Sequence, residues 1–227
     1  MGNTQRVRWN EFPPGAVREP VDEALKPKVF IVDDDPAMRE SLCFLVGSVG
    51  LEVAAFSAAQ EFLDRYDPRH PGCLVLDIRM PGMSGLELQD RLLESGIRIP
   101  IVMVTGFGDV PMAVRAMKRG AIGFIEKPFT DQDLLDRVNE ALVADREWRV
   151  ARAKREDLEA RVAKLTPRER QVMDFVLAGK PNKLIAGELG LSPKTIEVHR
   201  ARMMEKMQVR SLAELLQLVI KTPHADA

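Results

Sequence analysis

The sequence predicts an α/β domain with a five-stranded, doubly wound parallel sheet, followed by a long helical linker and an all-α domain of four short helices. Three observations favour this order. Short apolar runs alternate with amphipathic stretches in the first part of the chain. Neither Pro nor Gly interrupts residues 131–164, and several helix-start and helix-stop signals follow them. The boundaries we expect are a flexible extension at 1–26, the α/β domain at 27–147, the linker at 145–164, the helical domain at 165–222 and a flexible tail at 223–227.

The strands of the predicted sheet are five apolar runs. Each gap between them is long enough for one helix and two short loops, the pattern of β-α units whose helices cover both faces of a parallel sheet. The runs comprise residues 29–32, 51–56, 73–76, 101–104 and 122–125.

Capping residues mark the predicted helices of the sheet domain. Asp35 followed by Pro36 predicts an N-cap and a first helical position, and Gly50 is expected to close that helix. Thr130 with Asp133 resembles an acidic variant of the capping box and begins the fifth helix. The linker at 145–164 is expected to continue this helix, either paired with a copy of itself or as a single solvated helix.

The last part of the chain contains the signals for four short helices. Thr166-Pro167-Arg168-Glu169 places Thr at the N-cap, Pro at the first position and Glu at the third. Gly179 ends this helix. Gly190 separates a helix at 182–189 from one that starts at Ser192-Pro193 and extends to about 207, and a fourth covers 211–220. A tight turn with glycine between two short helices is typical of a helix-turn-helix domain.

Composition excludes several classes of protein. Of the 227 residues, 45% are hydrophobic and 30% are charged, which is unlike a disordered chain, a collagen or a disulfide-stapled miniprotein. No apolar run approaches the roughly 18 residues of a membrane span, and the N-terminus lacks the apolar region of a signal peptide. Cys43 and Cys73 lie in apolar segments and are expected to be reduced core thiols of a cytoplasmic protein.

Charge is divided unevenly along the chain. Residues 27–147 contain 13 Lys and Arg against 20 Asp and Glu, a net charge of −7, whereas residues 148–227 contain 16 against 10, a net charge of +6. This asymmetry predicts two modules with different partners, of which the basic one is a candidate for nucleic-acid binding.

Polar side chains are expected at the carboxyl edge of the predicted sheet, where ligands bind in open parallel sheets. Asp33 and Asp34 follow the first strand, Asp77 ends the third, Thr105 ends the fourth and Lys127 follows the fifth. Clustered carboxylates suit Mg²⁺, a lysine can offset the charge of a phosphoryl group, and a carboxylate can itself accept one.

Four motifs in register make residues 28–147 resemble a response-regulator receiver domain, which has a flavodoxin-like fold. A further stretch at 108–117 is similar to the FixJ branch of that family. The four motifs are VDDD at 32–35, LDIRMPGMSG at 76–85, VTG at 104–106 and IEKPF at 125–129.

The resemblance implies a role for each polar residue at this edge. Asp77 is then the phosphoacceptor. Thr105 and Lys127 contact the phosphoryl group, Phe124 is the switch aromatic, and the Lys127-Pro128 bond is cis. Mg²⁺ is ligated directly by Asp34 and Asp77 and by the backbone carbonyl of Arg79, with Asp33 nearby or acting through water.

Four residues in or near these motifs have other or additional interpretations. Asp35 is better explained as a helix cap than as a metal ligand. Phe124 can also be a plain core residue. Arg79 and Phe107, two residues after Asp77 and Thr105, are hypothesised to shield the acyl phosphate from water.

The basic module resembles a LuxR-type helix-turn-helix over about 160–222, on the stretches 165–172, 182–186 and 191–200. The two modules together resemble the NarL/FixJ family of transcriptional regulators, whose last helix pairs with its copy in a dimer on DNA. In the third helix, Ile196, Met203 and Met207 recur at helical spacing and are expected to face the core.

The opposite side of that helix is the predicted DNA surface. Glu197, Val198 and Ala201 are assigned to base edges in the major groove, and His199 is expected to be half-buried support. The candidates for phosphate contacts are Lys183, Lys194, Thr195, Arg200, Arg202 and Lys206.

The predicted function is a two-component response regulator that is not an enzyme. A histidine kinase phosphorylates Asp77 with Mg²⁺, the regulator forms a homodimer and binds double-stranded promoter DNA, and RNA polymerase is its partner in transcription control. Two alternatives stay open. One is a DNA-binding regulator that uses its receiver only for dimerisation, although the intact set of site residues argues against it. The other is an aspartyl-phosphate phosphatase, which would need an acid-base residue where Arg79 stands.

Overall fold

The computed structural model describes residues 25–106 and 110–220. Their elements are β1 (Lys28–Val32), α1 (Pro36–Ser48), β2 (Glu52–Phe56), α2 (Ala59–Arg65), β3 (Gly72–Asp77), α3 (Gly85–Glu94), β4 (Ile101–Thr105), α4 (Val110–Lys118), β5 (Gly123–Glu126), α5 (Asp131–Ala163), α6 (Pro167–Leu177), α7 (Asn182–Leu189), α8 (Pro193–Lys206) and α9 (Leu212–Ile220). The predicted fold class is confirmed. The tail at 223–227 and most of the extension at 1–26 lie outside the described residues.

The five strands form one parallel sheet in the order β2-β1-β3-β4-β5. The chain reverses its direction of winding between β1 and β3, the place where ligands bind in open α/β sheets. The register pairs Val32 with Leu76 and Asp77 with Val104, so the residues that follow β1 lie next to the end of β3.

Strand residues alternate between two hydrophobic cores. In β1, Val29 and Ile31 face the core formed with α1 and α5, whereas Phe30 and Val32 face the core formed with α2, α3 and α4. This is the two-residue period of a strand buried on both faces. Cys73 is buried in the first of these cores and Cys43 is half-buried beside it.

The predicted caps are confirmed. The Asp35 side chain accepts a hydrogen bond from the backbone N–H of Ala37, and Pro36 follows it. Thr130 and Thr166 each form a complete capping box with the acidic residue three positions later.

A single helix, α5, joins the two halves of the chain. Leu134, Val138 and Ala141 pack on the sheet, while Leu158 and Val162 are buried in a third core with helices α6 to α9. The linker therefore continues the fifth helix, as expected. The core of the helical domain includes Leu158, about seven residues before the domain boundary predicted at 165. The apolar end of α5 packs in this core. Among the described helices, none is long and apolar enough to cross a membrane.

Candidate acidic site and nucleic-acid interface

Two buried carboxylates share one ammonium group at the carboxyl edge of the sheet. Asp33 is 2% exposed and Asp77 is 6% exposed. The Nζ atom of Lys127 lies 2.7 Å from Oδ1 of Asp77 and 3.1 Å from Oδ2 of Asp33. The sheet order places these side chains together, because Asp33 follows β1 and Asp77 ends the neighbouring strand β3.

The turn between β1 and α1 holds Asp33 in place. Its Oδ1 atom accepts a hydrogen bond from the backbone N–H of Asp35 at 2.9 Å. Its backbone carbonyl accepts one from Nη1 of Arg39 at 2.7 Å, a contact that the sequence analysis did not anticipate. Asp34 is exposed at the rim of the site. Within residues 25–106 and 110–220, no three acidic, His or Cys side chains already form a metal cluster.

The loop after β3 fixes the second oxygen of Asp77. Its Oδ2 accepts a hydrogen bond from the backbone N–H of Arg79 at 2.7 Å. Gly85 crosses directly behind Asp77, where an added Cβ would lie only 2.2 Å from the Asp77 carbonyl oxygen. Gly85 belongs to one of the four motifs, but the sequence pattern does not predict this role, since close backbone approach is a tertiary contact.

The edge between β4 and β5 positions the remaining polar residues. Thr105 is buried, and its hydroxyl donates to the carbonyl of Gly106 at 3.3 Å. The backbone N–H of Lys127 donates to the carbonyl of Thr105 at 2.8 Å, and the Lys127-Pro128 bond is cis, as predicted. These backbone contacts bring Lys127 and Thr105 to the same end of the sheet.

Phe124 is a surface residue. Its side chain is 43% exposed on β5, so its interpretation as plain core is wrong. On the neighbouring helix α4, Val114 and Met117 are also exposed. The structure thus presents an apolar α4–β5 surface. Arg79 is exposed at the loop, and Phe107 lies outside the described residues, so the shielding hypothesis stays a prediction.

Burial and charge act against each other in this site. Burial raises the pKa of Asp77 above the ordinary value, and the hydrogen bond and charge of Lys127 oppose this rise only in part. Burial alone would lower the pKa of Lys127, but its hydrogen bonds and charge interactions with Asp77 and Asp33 outweigh it and raise the pKa. Lys127 therefore stays charged between the two carboxylates.

Replacement of Lys127 should show how much its positive charge stabilises the two buried carboxylates. In Lys127→Ala, Asp33 and Asp77 lose their shared cation while they stay buried. We expect the pKa of Asp77 to rise further and the free energy of unfolding at neutral pH to fall by about 3 kcal/mol. NMR titration of the Asp77 carboxyl carbon and denaturant unfolding measure both effects. The exposed Lys118→Ala is the matched control, and equal behaviour of the two variants would contradict this electrostatic account.

The second candidate site is the surface of α8. Ile196, Met203 and Met207 are fully buried, as predicted. Gly190 ends α7 with a φ of +66°, a left-handed conformation that favours glycine and makes the tight turn into α8. The exposed residues of α8 include Lys194, Glu197, Val198, Ala201 and Arg202. The sequence-predicted face is thus available to a duplex.

Other predicted contact residues have partners within the fold. Nη1 of Arg200 donates to Oδ1 of Asn182 at 3.1 Å, which joins α8 to α7. Nζ of Lys206 donates to Oε2 of Glu169 at 2.6 Å, and Glu169 is only 3% exposed. This ion pair, in which only the Glu169 side chain is buried, ties the end of α8 to the start of α6 and was not predicted from the sequence. His199 is half-buried, as expected.

The other residues of the helical domain that the sequence singled out differ in their burial. Thr195 is half-buried near the start of α8, and Lys183 is exposed on α7. In α9, Leu215 and Val219 are buried, whereas Ile220 is 75% exposed.

The two halves of the chain match two different protein families. Residues 29–139 match the family described as response regulator receiver domain, and residues 163–219 match that of bacterial regulatory proteins, luxR family. The transcriptional regulatory protein FixJ of Bradyrhizobium diazoefficiens is 48% identical over 86% of this chain and 96% of its own. Nodulation protein W of the same organism is 48% identical over 87% of each chain.

Two solved structures span both halves. A low-resolution structure of the response regulator StyR is 51% identical, has a TM-score of 0.80 and covers 86% of this chain and 99% of its own. Full-length FixJ from B. japonicum is 47% identical, has a TM-score of 0.55 and covers 87% of this chain and 98% of its own.

Proposed function

The chain belongs to the family of transcriptional response regulators that join a receiver domain to a LuxR-type DNA-binding domain, and from this premise we propose that phosphorylation of Asp77 is its switch. The observation that carries the proposal is the contact of Lys127 with both Asp77 and Asp33 at the switch point of the sheet. A buried carboxylate beside a fixed ammonium group is suited to accept a phosphoryl group and to hold it afterwards.

The proposed reaction is phosphoryl transfer from a phosphohistidine of a histidine kinase. A carboxylate oxygen of Asp77 forms a bond to phosphorus while the phosphorus–nitrogen bond breaks, and the histidine nitrogen keeps the electron pair. Lys127 offsets the charge of the phosphoryl oxygens, and the hydroxyl of Thr105 donates a hydrogen bond to one of them. The chain acts as phosphoacceptor and is not proposed to turn over an external substrate.

The residues present fit a Mg²⁺ ion. Asp33 and Asp77 are buried, converge on a single cation and have hard oxygen donors, and Asp34 stands next to them at the rim. Asp34, Asp77 and the backbone carbonyl of Arg79 would hold the ion, with Asp33 beside it. When bound, Mg²⁺ neutralises negative charge on the transferring phosphoryl group.

The proposed switch links the site to the α4–β5 surface. A phosphoryl group on Asp77 recruits Thr105 and Lys127, and Phe124 leaves the exposed position described above. The surface at 109–125 then becomes the contact between two receivers. Dimerisation raises the effective concentration of the second DNA-binding domain once the first has bound.

The proposed output is control of transcription at a promoter, most simply activation, in the cytoplasm. Glu197, Val198 and Ala201 read base edges in the major groove. Phosphates are contacted by Lys183, Lys194, Thr195, Arg200 and Arg202, with Lys206 at the far end of the helix. RNA polymerase is the proposed protein partner at the promoter, and two copies of α9 pair in the DNA-bound dimer.

Mapping of the modified residue tests the proposed switch. The full chain is incubated with Mg²⁺ and a small-molecule phosphodonor, digested, and analysed by mass spectrometry. We expect one phosphoryl group, on the peptide that contains Asp77. A phosphoryl group on any other residue, or none, would overturn the proposal.

Lys194 should make a contact that does not depend on DNA sequence. Its side chain is 85% exposed at the start of α8, and its described partner is Glu197 on the same helix. In Lys194→Ala we expect weaker binding to every duplex and a salt dependence that is shallower by about one unit of log–log slope. Fluorescence anisotropy at several salt concentrations measures this. Lys154→Ala, an exposed lysine of the linker, is the control, and an unchanged slope in Lys194→Ala would remove this residue from the interface.

A further inference from the structure

The linker part of α5 leaves the receiver domain with little apolar contact. Between Ala141 and Leu158, the only buried residue of the helix is Asp145, and Val143 and Val150 are 57% and 47% exposed. This stretch spans about 25 Å at the rise of an α-helix. A helix without a packed face is marginal in water, so other contacts must fix its direction.

Asp145 and Arg149 supply these contacts. Nε of Arg149 donates to Oδ2 of Asp145 at 2.8 Å, and the same oxygen accepts the backbone N–H of Gly72 at 2.9 Å. The other guanidinium nitrogens of Arg149 donate to three backbone carbonyls of the loop between α2 and β3. These are the carbonyls of Pro68, Arg69 and His70, at 3.4, 3.1 and 2.7 Å.

The neighbouring residue adds a second contact with the receiver. Two arginines lie over the ring of Trp148, with the guanidinium carbon of Arg98 at 5.9 Å from the ring centroid and that of Arg152, on the same helix, at 5.6 Å. Arg98 lies in the loop before β4, so α5 contacts the loops that precede β3 and β4. Cation–π contacts of this kind are favourable and directional.

These contacts lie at the opposite end of the sheet from the phosphorylation site. Gly72 begins β3 and Asp77 ends it, a separation of about 17 Å along the strand. Phosphorylation therefore does not need to break them. A buried ion pair adds little net stability compared with apolar residues, and one of its attested uses is to specify a single geometry.

We propose that Asp145 and Arg149 form a latch that fixes the direction in which α5 leaves the receiver, so that receiver dimerisation brings two already oriented DNA-binding domains onto DNA. The inference rests on the proposed function, since the latch acts on the same switch. The far end of α5 completes the rigid connection. Leu158 and Val162 are buried in the core of the DNA-binding domain, and Nη1 of Arg161 donates to the carbonyl of Met207 at the end of α8.

Arg149→Ala in the full chain tests the latch. We expect hydrogen exchange of the backbone amides at 143–157 to become roughly tenfold faster, because the stretch then loses its four Arg149 hydrogen bonds and keeps only the contacts of Asp145 and Trp148 with the receiver. Phosphorylation and receiver dimerisation should match wild type. The gain in DNA affinity on phosphorylation should fall by about tenfold, because the two DNA-binding domains are no longer aligned.

Two further variants make the result decisive. Arg146→Ala removes an exposed arginine of the same helical turn and should behave as wild type. Arg149→Lys keeps the charge but lacks the planar fork that reaches four acceptors, and it should show the same changes to a smaller degree even where Arg149→Ala does not fold.

The outcomes separate the latch from the switch. Unchanged exchange at 143–157 in the Arg149 variants overturns the latch. Faster exchange with an undiminished gain in DNA affinity overturns its role in alignment. A wild-type protein that gains no DNA affinity on phosphorylation is a failure of the proposed function instead, and the exchange data then still decide whether the latch exists.

Discussion

Asp77→Asn should abolish phosphorylation while it leaves the fold intact. The amide keeps the size of the side chain and can still accept the backbone N–H of Arg79, but it is not a nucleophile toward phosphorus. Incubation with Mg²⁺ and a phosphodonor should therefore add no phosphoryl group, as measured by intact-protein mass. Asp64→Asn, a change at an exposed position of α2, should be phosphorylated as wild type.

The same variant should be more stable than wild type at neutral pH. Burial raises the pKa of Asp77 above its value in the unfolded chain, so ionised Asp77 disfavours the folded state. This cost is absent below the ordinary pKa of aspartate and grows as the pH rises through the raised folded-state value. The stability difference between wild type and Asp77→Asn should widen over that range, as followed by denaturant unfolding. A phosphorylated or strongly destabilised Asp77→Asn protein would contradict the assignment.

Gly85→Ala should damage both the fold and the site. The new Cβ would lie 2.2 Å from the carbonyl oxygen of Asp77 and 3.1 Å from the Cα of Ile78, and both are backbone atoms that cannot move aside as a side chain can. We expect a loss of about 3 kcal/mol in the free energy of unfolding. Phosphorylation should slow as well, because the displaced backbone carries the phosphoacceptor.

Gly47→Ala is the same substitution at another position, and we expect it to raise the stability of the protein instead of lowering it. Gly47 lies within α1, and an added Cβ would meet no atom within 4 Å. Alanine is favoured over glycine inside a helix, so this variant should gain roughly 0.5–1 kcal/mol. Unfolding midpoints and phosphorylation rates of the two variants give the comparison. A Gly85→Ala protein as stable and as active as Gly47→Ala would disprove the tight approach behind Asp77.

Local signals in the sequence were enough to predict most of the elements. The strands differ from the apolar runs by a residue at their ends, and the caps at Asp35, Thr130 and Thr166 are those that the sequence marks. The polar residues that follow the strands were predicted to meet because parallel strands share an edge. Lys127 and Asp77 do meet, although 50 residues separate them.

The contacts that the sequence did not reveal join elements far apart in the chain. Arg149 reaches a loop about 80 residues earlier, and Lys206 reaches Glu169 across 37 residues. In the sequence, these residues are ordinary charges on helices, and no spacing rule links them to their partners. The continuation of the fifth helix into the linker was predicted, but the burial of its end in the third core was not, for the same reason.

Joint measurement of dimerisation and DNA binding tests the central claim most directly. Sedimentation and duplex-binding assays are run on wild type and Asp77→Asn, each with and without Mg²⁺ and a phosphodonor. We predict that only phosphorylated wild type shifts to a dimer and gains DNA affinity. Equal dimerisation and equal DNA binding by both proteins under all conditions would contradict this account and would make the receiver a constitutive dimerisation module.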